Sequence, residues 1–108
     1  MAGALADYDV ALTVDPANLL ARTNRALVRQ HAGDVAGAAA DVADALARWP
    51  DVPEALIAAG GVRDAQGDVR GAAAAFRRFL ALRPEDPRAP RVRGDLVRCE
   101  EILRARGG

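Results

Sequence analysis

Apolar residues along the chain recur at helical rather than alternating spacing. Tyr8 and Leu12, Val42 and Leu46, and Phe76 and Leu80 each stand four apart. Val92, Leu96, Cys99 and Leu103 follow at steps of four, three and four. Such steps bring side chains to one face of a helix, whereas a half-buried strand would alternate. The alanine-rich stretches that hold these residues lack internal proline, which favours helix again. The pattern predicts helices near residues 2–14, 18–31, 35–48, 53–65, 69–82 and 91–105. Short turns join them, so neighbours are expected to pack antiparallel.

The pattern also repeats. "AGDVAGAAADV" (residues 32–42) returns as "QGDVRGAAAAF" (residues 66–76), a shift of 34 positions that puts Gly33 on Gly67, Asp34 on Asp68 and Val35 on Val69. The same shift aligns Ala4, Ala38 and Ala72, then Tyr8, Val42 and Phe76, then Leu12, Leu46 and Leu80, then Pro16, Pro50 and Pro84. A fixed period of this size marks stacked supersecondary units. Gly33 and Gly67 are expected to end helices in the left-handed conformation, with Asp34 and Asp68 capping the next ones. Asp-Pro in "VDPAN" and "EDPRA" predicts a cap followed by proline in the first turn. In "DVPE", Asp51 and Glu54 have capping-box spacing.

These residues resemble the tetratricopeptide repeat, whose second helix carries an alanine and an aromatic four apart before a proline. One full unit matches as Leu56, Ala59-Gly60, Ala72, Phe76 and Pro84. The unit before it matches as Ala26, Ala38, Val42 and Pro50, and a leading half unit gives Ala4, Tyr8 and Pro16. The resemblance implies one all-α domain over residues 1–108, a TPR-like solenoid of about two and a half repeats. Its parts are a half repeat (1–16), repeats 17–50 and 51–84, and a capping helix (88–106). The chain departs from the family where Arg22, Arg25 and Arg29 occupy the usual aromatic, Leu and Tyr places. Arg63 replaces the Tyr of the following unit.

In this family the first helices of each pair line the concave face. The resemblance therefore implies a binding surface made of Leu20, Thr23, Asn24, Leu27, Gln30 and His31, then Glu54, Ile57, Ala58, Gly61 and Asp64. Arg88, Arg91, Asp95 and Arg98 of the last helix extend it. Such a groove suits a peptide or helix from a partner protein. Some members hold a C-terminal carboxylate with basic residues and asparagines. Asn24 fits that scheme and Arg88 or Arg91 would serve, but Thr23 and Leu27 stand where it requires a basic residue and an asparagine. That clamp is not expected.

Composition narrows the classes of function. Fifteen arginines balance fifteen acids and there is no lysine, so no net field favours nucleic acid or an anionic membrane. The all-arginine set reads as codon bias rather than chemistry. Arginines between Arg88 and Arg106 would suit nucleic acid, but Asp95, Glu100 and Glu101 interleave there, with Glu85 and Asp86 on the approach. Alanine supplies about a quarter of the chain, which predicts closely approaching helices with modest buried area. One cysteine allows no internal disulfide and suits a reducing compartment. No apolar run reaches the roughly 20 residues of a membrane span, and the first residues, with Asp7 and Asp9, lack a basic leader. A cytoplasmic protein is expected.

Chemistry-bearing groups are sparse. Arg22, Arg25 and Arg29 share a helix face that would grip a carboxylate. The plainer expectation is that their stems cover alanine while the heads reach water, Asp41 or Asp44. His31 stands alone, with no metal-ligand cluster around it, and suits a helix C-terminus. Cys99 falls on the apolar stripe of the last helix and reads as core. No nucleophile triad or phosphate loop occurs, so no catalytic residue, metal or cofactor is assigned. The expected function is protein interaction through the groove. A helical ligand-binding or regulatory domain of a larger enzyme or transcription regulator is the alternative. The first predicted helix corresponds to the second helix of a unit, and its apolar residues are spread too widely for one neighbour to cover. This predicts either a piece of a longer array or a homodimer or domain-exchanged pair formed through that end.

Overall fold

In the computed structural model, which describes residues 2–107 with side chains from residue 5 onward, six helices follow one another: α1 (Ala2–Val14), α2 (Leu19–His31), α3 (Val35–Arg48), α4 (Pro53–Ala65), α5 (Val69–Leu82) and α6 (Ala89–Ala105). Met1, Gly108 and the side chain of Ala4 lie outside the described residues. Each helix packs against the next, and α2 also touches α4, so the hairpins stack along an axis 44 Å long. No helix among the described residues is long and apolar enough to cross a membrane.

The Gly-Asp turns form as expected. Gly33 and Gly67 have φ of +90° and +79°, and Asp34 and Asp68 accept hydrogen bonds from the N–H of Gly37 and Gly71, both at 2.9 Å. The proline-containing turns differ. Asn18, not Asp15, caps α2 by accepting from Ala21 N–H at 3.0 Å, while Asp15 turns the chain by accepting from Ala17 N–H. Val52 stands at the start of α4 with no side-chain cap, because the Asp51 carboxylate is taken by Arg78 at 2.6 Å across the hairpin. At α6, Asp86 accepts from Arg88 N–H and the helix starts two residues earlier than the pattern predicts.

Alanine makes the close packing possible. Ala26, Ala38, Ala58 and Ala59, with Val42 and Val62, fill the seam between α2, α3 and α4. Phe76, Phe79, Val69, Val92 and Cys99 fill the seam between α4, α5 and α6, and Leu46 touches both. Burial raises the pKa of the Cys99 thiol, which is therefore structural rather than reactive.

Candidate functional site

The first helices of the pairs, α2 and α4, form one side of the stack together with α6. A hollow of about 300 Å³ opens between them. Leu27, Ile57, Phe76 and Val92 make its apolar lining, with Gln30, His31, Gly61, Arg88, Arg91 and Asp95 around them. Eight of the residues expected to bind therefore meet in one place: Leu27, Gln30, His31, Ile57, Gly61, Arg88, Arg91 and Asp95. Leu20 and Asn24 are exposed further along the same stripe of α2. Glu54 stands at the mouth, 3.6 Å from Arg88. Asp64 is occupied by Arg98 at 2.5 Å. Thr23 does not belong to the surface: it is buried, its hydroxyl donating to the carbonyls of Leu19 and Leu20.

Two lining residues escape a sequence reading. The period marks Phe76 as a packing aromatic and Val92 as core; both are buried, yet both border the hollow. Gly60 lets the Phe76 ring come close to α4, since a Cβ there would collide with it.

Gly61 has open space around it. A Cβ added there would find only Gln30 Oε1, at 3.5 Å. A helix-interior glycine costs about 0.5–1 kcal/mol relative to alanine, so Gly61→Ala is expected to raise the melting temperature by about 3–6 °C. Thermal unfolding followed by circular dichroism checks this; a fall in Tm would mean that the space is not open. Gly61 therefore weakens α4 while widening the hollow.

Electrostatics at the mouth are partly committed. Arg88 makes a two-pronged contact with Asp86 (2.9 and 3.0 Å) and lies 5.7 Å from the centroid of the Phe79 ring. That guanidinium, with the Arg88 N–H, holds the Asp86 carboxyl down to about 2. Arg91, Asp95 and His31 make no ion pair among the described residues. The Gln30 amide oxygen is buried with no hydrogen-bond partner among the described residues.

The three arginines of α2 face away from this site. Arg25 binds the buried Asp41 through two nitrogens (2.9 and 2.6 Å) and reaches Asp9 of α1 at 2.9 Å. Arg29 adds a third bond to Asp41 at 3.0 Å, and Arg22 pairs with Asp44 at 2.5 Å. Hydrogen bonding to Asp41 raises the Arg25 pKa further above its ordinary value. These groups hold α1, α2 and α3 together and are not open to a partner.

No protein-family model and no curated protein matches the chain. Among solved structures, the first TPR of Spaghetti (RPAP3) bound to HSP90 peptide SRMEEVD superposes with a TM-score of 0.83 at 24% identity. The match covers 92% of this chain and 78% of that one. The period of 34, the paired helices and this superposition agree: the chain has the TPR-like fold, an all-α stack of antiparallel helix hairpins.

Proposed function

We propose that the chain is a protein-interaction module, acting in the cytoplasm, that binds a peptide or helix of a partner along its concave side. One large apolar side chain of the partner seats among Leu27, Ile57, Phe76 and Val92. The observation that carries this reading is the hollow itself: an apolar floor ringed by Gln30 and by Arg91, Asp95 and His31, which make no ion pair among the described residues. That a chain of the same fold has been seen with a peptide supports the same use here. The reading needs no catalytic residue and no cofactor. Self-association would use the outer face of α1 and does not compete with the groove.

Selection from a displayed random-peptide library against the immobilised chain tests it. Enriched peptides should carry a large apolar residue, and their affinity should fall at least about tenfold on Leu27→Glu or Ile57→Glu, since a charge would enter an apolar pocket. Circular dichroism must show both variants still helical. Enriched peptides that bind both variants undiminished would sink the groove. Failure to enrich any peptide, with thermal stabilisation by a small metabolite instead, would favour the ligand-binding alternative.

A further inference from the structure

The period of 34 does not stop at α5. Carried into α6, it puts Ala55 on Ala89, Leu56 on Pro90, Ala59 on Arg93, Gly60 on Gly94 and Arg63 on Val97. In α4 the face made by Leu56, Ala59 and Gly60 is buried, because α5 covers it and the Phe76 ring rests on Gly60. In α6 the same face is open. Pro90, Arg93 and Gly94 are exposed, Val97 is 49% exposed, and a Cβ added at Gly94 would meet nothing within 4 Å.

α1 shows the complementary opening. Its Asp7 and Tyr8 stand one period before Asp41 and Val42 and two periods before Ala75 and Phe76. Those four are buried; Asp7 is exposed and Tyr8 only half-buried. Val10 and Val14 are 64% and 81% exposed on the same helix. α1 packs against α2 and α6 against α5, so the two open faces lie at opposite ends of the stack.

We propose that copies of the chain associate head to tail, α6 of one copy receiving α1 of the next. The two helices then form a pair like α2–α3 and α4–α5. Each contact has a precedent inside the molecule. Tyr8 of the next copy would cover Gly94 as Phe76 covers Gly60. Arg93 would pair with its Asp7 as Arg25 pairs with Asp41, two and one periods away respectively. Val10 would lie against Pro90, where Asp44 meets Arg22 in the earlier unit. Charge agrees at long range. α1 holds two acids and no arginine, and α6 holds four arginines and three acids, so the end helices carry −2 and +1. Opposite ends therefore attract, while like ends repel. Because the contact is heterologous, it does not close after two copies. It uses neither Leu27 nor Ile57 and stands independently of the groove.

Sedimentation equilibrium of the intact chain across concentration and salt decides the matter. Average mass should rise with concentration past the dimer and fall back as salt is added. Gly94→Leu should remove the association while leaving the monomer at least as stable to heat, since that side chain projects into open space. Asp7→Arg and Arg93→Asp should each weaken association about tenfold or more, and the double variant should recover most of it. A strict monomer at the highest soluble concentration would overturn the proposal, as would a dimer that stops at two copies or is indifferent to Gly94→Leu. So would two charge reversals whose effects simply add.

Discussion

Replacing Asp41 by alanine is expected to destabilise the fold by about 3–5 kcal/mol, a large part of the roughly 5–15 kcal/mol that holds a domain folded. Asp41 is 3% exposed and takes three hydrogen bonds from Arg25 and Arg29. Without it, two guanidinium groups are left in a seam between helices with no carboxylate inside it. Urea denaturation should show the midpoint falling with little change of slope. The repeat supplies the control. One period on, Arg22, Arg25 and Asp41 are Leu56, Ala59 and Ala75, while Arg29 is again an arginine, Arg63, whose guanidinium donates to the Gly71 carbonyl much as Arg29 reaches that of Gly37. The combined variant Arg22→Leu, Arg25→Ala, Asp41→Ala therefore installs the apolar solution already used by the next unit. It should recover most of the loss, because an apolar set of suitable volume commonly equals or exceeds a buried ion pair. If Asp41→Ala alone were nearly neutral, the network would be ornament on an apolar seam.

The helices were legible because alanine, proline and the Gly-Asp turns all act locally. Asp34 and Asp68 need only their own helix to cap. Asp51 shows the limit: its neighbours Val52, Pro53 and Glu54 suggest a capping box, but Arg78, 27 residues away, competes for the same carboxylate with two hydrogen bonds. A local pattern cannot register that competition. The groove was legible in part for the same reason. Helical spacing puts Leu27, Gln30 and His31 on one face, but it also included Thr23, whose hydroxyl finds backbone carbonyls within its own helix. Phe76 and Val92 reach the hollow only through the packing of three helices, and periodicity shows which face is buried rather than where a buried face ends. The arginines of α2 were the clearest gain, since Asp41 and Asp44 on the facing helix already offered them acceptors.

Gly60→Ala is the second substitution with a large expected effect, a loss of about 2–3 kcal/mol despite alanine's better helix propensity. A Cβ at that position would lie 2.6 Å from both Cδ1 and Cζ of Phe76, so the buried ring would have to shift. One period earlier the same contact is made by Ala26 and Val42, a larger residue facing a smaller one, and both are buried. The two units thus divide similar space differently between facing helices. Phe76→Val alone should also destabilise, by about 2 kcal/mol, because the ring leaves a void beside Gly60. Gly60→Ala combined with Phe76→Val restores the earlier unit's pairing and should cost at least about 1 kcal/mol less than the two changes added together. Thermal or urea unfolding of the four proteins measures that coupling. Strict additivity would mean that the glycine and the ring do not touch, and the stacking of α4 on α5 would need another cause.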